Sequence, residues 1–588
     1  MSFIPDMTAG HIVGRWTQLS QERNNWMSRT KELRKYINAP DTSYTEVGKL
    51  DWKNKTTVPK LTQIFDNLIA QYKQALMPNE DWLSFEGSSL EDAKKEAYVE
   101  QYMRYKLEQS DFESALRKLL ADYIIYGVAC GGTKYVEDVS LSPVTKKEVV
   151  KYQGGKIFRV SPLDFVIEPR AASFDESIFI RRYLMPINEL KDLAENPEQS
   201  PFDINQEAVR EAVKTRGFVH ELEDDIKESG LTVDGFSSMQ EYFTSGHVEV
   251  LEFWGDYYNP ETGEYKPNQT MAIIDRMWTL YKDDNPMLNG KKPYAFTCWR
   301  ERTDNLYGQS PLEQLVGMQY RIDHLENLKS DIFDLVAHPV VVISGNPTED
   351  FEWKPGNVYY AGLEGKVEIL RPDATALRAD SEISLYMEIM EEMAGAPKQT
   401  AGFRTPGEKT AYEVSVLQTG ANKMFLEKTS HFENSFLKRL LENFYIITMS
   451  NFNDDDFIRV FNEDLNTYEI VNVDRNKIIA DGQFKLSGSS YYERRQKAVQ
   501  ELTEVMQTLS SVPATSYHLD GFKVAKLLEK ELGYERYDIV KEYKAVEDQV
   551  GAQTAQRMAA QEDKQLMNME GVPGQEQGEQ EQAQRRGQ

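Results

Sequence analysis

Sulfur and imidazole are scarce in this sequence: 588 residues include two cysteines and seven histidines. Cys130 and Cys298 stand far apart, with no histidine at ligand spacing from either. That excludes a disulfide framework and a structural zinc site of the usual spacing. The expectation is two core thiols in a reducing compartment. Long apolar runs are absent too. No stretch approaches the roughly 20 residues of a membrane-spanning helix, and the opening MSFIPDMTAG lacks the basic-then-apolar order of a secretion signal. A soluble, intracellular chain with no membrane partner is expected. Basic charge is in deficit: lysine and arginine total 68 against 95 aspartates and glutamates, a formal net charge of −27. Tight wrapping of nucleic acid depends on clustered cations that release phosphate counterions, and a chain this acidic is not expected to do it.

The signatures of catalysis are equally sparse. YGVACGGTKY has Gly127 and Gly132 at the gap of a phosphate loop, but Thr133 precedes Lys134 where the loop needs lysine first. A helix precedes it and a strand follows, the reverse of the required context. The glycines are expected to let a helix turn sharply into a strand. Asp454, Asp455 and Asp456 lack the alternating ligands and central glycine of a calcium loop. His324 and His338 lack a zincin spacing, and no Gly-x-Ser-x-Gly elbow occurs. The expectation is a non-enzymatic protein with no catalytic residues, no metal and no cofactor.

What is present is a patterned, largely globular chain, 40% hydrophobic and 11% aromatic, enough for one large or several ordinary cores. No internal repeat of solenoid length is visible, which argues against that architecture. Helical spacing is predicted over about 8–38 and over TTVPKLTQIFDNLIAQYKQALMP, where Leu61, Ile64, Phe65, Leu68, Ile69, Tyr72 and Leu76 make one apolar face and Pro78 stops the helix. A third helix is predicted over about 90–126. Strands follow at KIFRVSPLDFVIEP and SIFIRRYLMP, an acidic helical stretch over 187–228, then strands at HVEVLEFWGDYY and TMAIIDRMWTLY.

The pattern sharpens at YGQSPLEQLVGMQYRIDHLENLKSDIFDLVAHPV. Ser310 reads as an N-cap, Pro311 as the first helical residue and Glu313 as the far member of a capping box. Leu312, Leu315, Gln319, Ile322, Leu325, Leu328, Ile332 and Val336 then recur every three or four residues up to Pro339. That spacing predicts a strut of about 26 residues and roughly 39 Å. VVVIS, NVYYAG and KVEIL read as a small sheet. Asp373 to Met393 returns to helix, with Leu377, Leu385, Ile389 and Met393 as its apolar line. Next comes GAPKQTAGFRTPGEKTAYE, a Gly/Pro/Thr hinge carrying Lys398, Arg404 and Lys409. It holds two candidate capping boxes, Thr405 to Glu408 and Thr410 to Glu413. A long helix follows to about residue 450 with Val414, Leu417, Ala421, Met424, Phe432, Phe436, Leu440 and Phe444 on its stripe; 457–486 reads as strand, and helices run to about 548. The Gln- and Glu-rich end has too few aliphatic anchors to offset the entropy of ordering and is expected to be disordered beyond about 565.

The order strut, small sheet, return strut, cation-bearing loop and long helix resembles the portal protein, or head-to-tail connector, of tailed bacteriophages of the short-tailed type. Four pieces carry the resemblance: WKNKTTVPKLTQIFDNLIAQYKQALMPNEDW, VSPLDFVIEPRAASFDESIFIRRYLMPINEL, YGQSPLEQLVGMQYRIDHLENL and TPGEKTAYEVSVLQTGANKMFLEKTSHFENSFLKRLLENFYII. It spans about residues 50 to 545. It implies an α+β, mainly helical fold: an N-terminal wing over 1–310, stem helices over 311–336 and 374–394, and a small β clip over 337–373. A tunnel loop over 395–409, a long wing helix with β return over 410–490, a helical crown over 491–548 and a disordered tail over 549–588 complete it.

It further implies a closed ring, usually a dodecamer, at the capsid vertex of a virion assembled in the host cytoplasm. Double-stranded DNA passes the channel without sequence reading during packaging and ejection. The implied partners are the chain itself, the major capsid protein, the large terminase and a tail adaptor. By the same resemblance Lys398, Gln399, Thr400, Arg404, Thr405 and Lys409 face the DNA channel, while Phe351, Trp353 and Lys354 in the clip dock the motor or adaptor. Acidic walls would let a polyanion slide, with a few loop cations touching its backbone. Two other classes stay open on the sequence: a nucleic-acid-processing enzyme with dispersed carboxylates, and a monomeric helical adaptor.

Overall fold

The computed structural model describes residues 7–38, 53–77, 82–141, 146, 148–196, 200–215, 246–259, 262–343, 354–360, 367–370, 379–394, 425–452, 457–462, 467–472, 478–486, 523 and 526. The chain divides into two compact units, Met1–Ser489 and Ser490–Gln588; all elements below belong to the first. The fold is mixed α+β, with several small, mostly antiparallel sheets and, among the described residues, none closed into a barrel. Among the described residues no helix is long and apolar enough to cross a membrane.

Helix α1 (Met7–Ile37) shows how one periodicity serves three cores. Ile12, Trp16, Leu19, Arg23, Trp26, Thr30, Leu33 and Ile37 are buried in alternating steps of four and three, the seam that a heptad pattern makes. Ile12, Trp16 and Leu19 pack on the large sheet, Trp26 packs between sheets, and Leu33 and Ile37 enter the main core. Arg23 is buried midway. Its guanidinium donates to the carbonyls of Pro162 (3.0 Å) and Phe165, which satisfies a turn that would otherwise bury bare acceptors.

Helix α2 (Lys60–Leu76) buries the predicted face: Leu61, Ile64, Leu68, Tyr72 and Leu76 are inaccessible, with Phe65 and Ile69 packed beside them. After β1 (Leu83–Gly87) the single helix expected over 90–126 is three: α3 (Leu90–Ala93), α4 (Glu96–Gln109) and α5 (Phe112–Ile125). The sharper break lies at Asp111, which adopts a left-handed φ of 57°. The reversal lets Met103 and Leu107 of α4 and Leu116, Leu119 and Leu120 of α5 reach one core, and Phe112 stacks on Trp82 with centroids 5.7 Å apart. A straight helix could not bury both faces.

Gly127 then turns α5 into β2 (Val128–Leu141) with φ +69°, as the sequence predicted. A Cβ there would lie 2.4 Å from the backbone of Gln309 and Ser310. Strand β2 is the centre of a three-stranded sheet, paired with β3 (Glu148–Arg159) and, over Val128 to Gly132, with a strand introduced below. β4 (Phe165–Ile167) and β5 (Phe179–Pro186) open a five-stranded antiparallel sheet. α6 (Ile187–Glu195) and α7 (Gln206–Thr215) intervene; the rest of the predicted acidic helix lies outside the described residues. β6 (His247–Asn259), β7 (Glu264–Ile274) and β8 (Trp278–Asp284) complete the sheet in sequence order. β9 (Tyr294–Cys298) returns to pair with β2.

Cys130 and Cys298 are free, buried thiols on these adjacent strands. Burial pushes the Cys298 thiol up to about 12 and Cys130 well above its ordinary range, so neither is a ready nucleophile. Lys292, 3% exposed, donates to three carbonyls, of Phe174, Asp175 and Ser177, at 2.7 to 2.9 Å.

Six buried phenols, Tyr72, Tyr123, Tyr126, Tyr281, Tyr294 and Tyr307, are raised above their ordinary value of 10.0, each chiefly by burial. The unfolded chain releases these protons first, so stability is present below pH 10 and lost as pH rises, at about 1.4 kcal/mol per pH unit for each tyrosine. Lys292 opposes this with one proton only: burial pushes it down to about 8 from 10.5, which raises stability between those values. The expected outcome is cooperative alkaline unfolding above pH 10, read by circular dichroism alongside tyrosinate absorbance. Gradual tyrosine titration with structure retained would contradict these burial-driven shifts.

Candidate functional site

The segment the sequence marked as strut, small sheet and return strut is helix, sheet and helix. Residues Glu313–Leu315 form a 3-10 turn that leads into α8 (Val316–Ala337). β10 (Val340–Ile343), β11 (Val358–Tyr360) and β12 (Val367–Leu370) follow, with β10 central, parallel to β11 and antiparallel to β12. α9 (Asp380–Ala394) returns beside α8, linked by Lys329 to Asp380 at 2.7 Å and Arg321 to Glu382 at 3.3 Å.

The expected capping box does not form. The buried Ser310 hydroxyl accepts from Leu312 N at 3.0 Å and donates to the Ile124 carbonyl at 2.7 Å. Glu313 is drawn instead to Arg29 and Arg302, at 3.6 and 3.9 Å, so the α-helix starts only at Val316.

The apolar line along α8 is buried in its first half and turns outward in its second. Leu315, Ile322 and Leu325 are in the core, but Leu328 and Val336 are 39% and 48% exposed, and Asp323, Asn327 and Asp331 are buried. The cause is an extended segment laid along the helix. Val58 N, Thr56 N and Asn54 N donate to Asp323, Asn327 and Asp331 at 2.9, 2.7 and 2.6 Å, and Asn327 returns a bond to the Thr56 carbonyl at 2.8 Å. Four residues of helix rise about 6.0 Å and two residues of extended chain about 6.6 Å, so side chains four apart meet amides two apart. Gln319 continues the clasp into α2, accepting from Leu61 N at 3.2 Å and donating to the Val58 carbonyl at 2.6 Å. It serves the start of a helix that has no side-chain cap of its own.

On α9 the buried line is Ile383, Met390 and Ala394, whereas Leu385 and Met393, expected to be its apolar face, are 54% and 41% exposed. Its inner face is fixed by α2: Lys60 and Glu391, both buried, form an ion pair, and the Lys60 ammonium also donates to Gln63 at 3.0 Å.

The two helices and the sheet between them carry eight of the seventeen exposed large apolar side chains among the described residues: Tyr320, Leu328, Phe333, Val336, Val358, Ile369, Leu385 and Met393. The apolar lines read from the sequence held Leu328, Val336, Leu385 and Met393 without showing that they face outward, and did not include Tyr320 or Phe333.

Of the residues expected to serve DNA or partners, Lys354 is described and exposed in the turn before β11. Phe351, Trp353, Lys398, Gln399, Thr400, Arg404, Thr405 and Lys409 lie outside the described residues, as do Leu377 and the stretch 395–424 with both candidate capping boxes. The long helix is described from 425. Residues 425–432 are helical, Glu433–Leu437 is a π turn, and α10 (Lys438–Ser450) continues it. Phe432, Phe436, Leu440 and Phe444 are fully buried, as their spacing predicted. β13 (Phe457–Asn462) and β14 (Thr467–Asn472) pair as a hairpin, and β15 (Gly482–Leu486) pairs with β1, closing the unit across about 400 residues of chain.

The π turn brings together a hydroxyl and imidazole group that the sequence did not flag. Thr297 Oγ1 is 2.8 Å from Ser435 Oγ and 3.3 Å from His431 Nε2. Glu301 approaches the same ring nitrogen at 3.8 Å, and Ser435 donates within its own helix to the His431 carbonyl at 2.6 Å. A nucleophile–base–orienter relay needs the carboxylate on the opposite ring nitrogen, so the cluster as built is a helix-to-strand tie. No group of three or more metal-ligating side chains occurs among the described residues. No protein-family model matches the sequence, and no curated protein matches it.

Proposed function

We propose that this chain is a portal-type subunit: copies assemble head to tail into a ring whose axial channel conducts double-stranded DNA at a capsid vertex. The observation that carries the reading is the helix, sheet and helix of residues 316–394 with exposed apolar side chains on all three parts. An isolated subunit gains nothing from leaving Tyr320 and Phe333 more than 60% exposed; a repeating neighbour would cover them. The net charge of −27 fits a bore that must not hold DNA fast. On this reading 395–409 is the tunnel loop, and Lys398 and Arg404 touch passing phosphates. The exposed Lys354 turn belongs to the docking end for motor and adaptor.

Negative-stain microscopy and native mass spectrometry of the purified chain should give large closed rings. Tyr320→Glu with Phe333→Glu should reduce the assembled fraction roughly tenfold or more, since hot-spot side chains contribute about 2 kcal/mol or more each, while the monomer stays folded. Lone monomers of the unaltered chain, or metal-dependent turnover of nucleic acid, would overturn the reading. Lys398→Ala with Arg404→Ala should leave rings intact and impair genome packaging or retention. Normal packaging in that variant would remove the loop cations from the mechanism.

A further inference from the structure

Away from the struts, the loop between β8 and β9 holds the one Asn-Gly pair in the sequence, Asn289–Gly290, and both residues are exposed. Asn289 Oδ1 accepts from Lys291 N at 3.0 Å, which folds the side-chain amide back along the chain toward the Gly290 nitrogen that lies between. The same donor is aimed at the oxygen that would carry negative charge if that nitrogen attacked the amide carbon. Gly290 has φ +63°, and a Cβ there would meet nothing nearer than Asn268 Nδ2 at 3.9 Å. With hydrogen in place of a side chain, its nitrogen is open to close approach. One bond opposes attack: Gly290 N donates to the Met287 carbonyl at 2.9 Å. In an exposed turn such a bond opens at little cost.

On its inner side Asn289 is tied to the core. Its Nδ2 donates to Asn443 Oδ1 on α10 at 3.4 Å, and Asn443, 1% exposed, donates in turn to the Lys292 carbonyl at 3.3 Å. Lys292 is the residue whose ammonium holds the carbonyls of Phe174, Asp175 and Ser177. The exposed amide thus stands at the head of a line of bonds that runs from the loop into α10 and on to the turn between β4 and β5.

We propose that Asn289 is a self-modification site, deamidated by the main-chain nitrogen of Gly290. Hydroxide takes the proton from Gly290 N; the nitrogen bonds to Asn289 Cγ, the Cγ–Nδ2 bond breaks, and the amide leaves as ammonia with a proton drawn from water. Water then opens the cyclic imide at one or the other carbonyl, giving aspartate or isoaspartate, with no oxidant or reductant involved. Either product sets a carboxylate where Asn443 Oδ1 had a donor. A buried acceptor that meets an anion in place of its donor must turn its amide round, and that rotation withdraws Asn443 Nδ2 from the Lys292 carbonyl. Isoaspartate also lengthens the main chain by one carbon and moves Gly290 off the Met287 carbonyl. The consequence is a slow loosening of the β8–β9 loop from α10, in a lone chain or an assembled one alike.

The test holds the full chain folded at mildly alkaline pH and follows the peptide containing Asn289 by mass spectrometry, with isoaspartate and released ammonia assayed alongside. The amide should exchange NH2 for OH, as a mixture of aspartate and isoaspartate, at a rate within about tenfold of that in the urea-unfolded chain, as a turn that opens cheaply requires. Asn289→Gln, whose amide carbon stands one bond further from the attacking nitrogen, should slow the loss of amide by roughly a hundredfold. An amide that stays intact in the folded chain while the unfolded chain converts would overturn the site. The link to α10 is read by hydrogen exchange: Asn289→Asp, the direct hydrolysis product, should exchange several-fold faster than the parent at 174–177 and around Asn443, as should the aged chain. Exchange equal to the parent's in both would overturn the link.

Discussion

Replacing Lys60 by methionine is expected to destabilise the first compact unit by about 3–5 kcal/mol, the cost of leaving one charge of a buried pair without its partner. Lys60 and Glu391 are 6% and 8% exposed, and their contact joins the first turn of α2 to the last turn of α9. Solvent screening offers little relief at that depth. With methionine at 60, the buried Glu391 carboxylate is left without its counter-charge, and the two helices must part to admit water. The double variant Lys60→Met with Glu391→Leu separates charge from packing. Because a buried ion pair is often no more stabilising than an apolar pair of similar volume, it should recover most of the loss. Urea unfolding of the three variants measures this directly. A single variant within about 1 kcal/mol of the parent would mean that the pair is hydrated in solution. For the proposed assembly, the single variant should also lower ring yield, since α9 would no longer be held at a fixed angle to the core.

Gly127→Ala is the other substitution expected to be severe. The left-handed conformation costs roughly 1–2 kcal/mol for a residue with a Cβ, and the added carbon would sit 2.4 Å from backbone atoms of Gln309 and Ser310. Backbone cannot swing away as a side chain can, so a further cost of about 1–3 kcal/mol is expected. The damage would spread, because Ser310 ties the end of α5 to the turn before α8 through the Ile124 carbonyl. Purification and thermal unfolding should show a poorly folding or strongly destabilised chain. An alanine variant of full stability would show that this turn adopts another conformation. The rejected phosphate-loop reading has a separate test: nucleotide addition should not stabilise the parent chain.

The portions of the fold legible in the sequence were those where one face meets one core. Leu61 to Leu76 and Phe432 to Phe444 are buried as their spacing predicted, because each helix packs on its apolar stripe. The strands of 247–284 and the small sheet of 340–370 were legible for a similar reason, as β-branched and aromatic runs bounded by turn residues. Illegible were the features that depend on a distant segment. The break at Asp111 answers to a core shared by two helices, the missing capping box to Arg29 and Arg302, and the buried Asp323, Asn327 and Asp331 to amides far earlier in the chain.

By itself the sequence determined the absence of a disulfide framework, the acidic balance, the sharp turn at Gly127 and the succession of helix, sheet and helix over 316–394, since each follows from local composition and the two backbone periods. Only the tertiary structure decided which side of those helices is buried. A helix with both an apolar and an amide-bearing stripe can bury either, and the choice falls to the segment that reaches it. Here an extended strand needing hydrogen-bond partners took the polar stripe of α8 and left Leu328, Phe333 and Val336 facing outward.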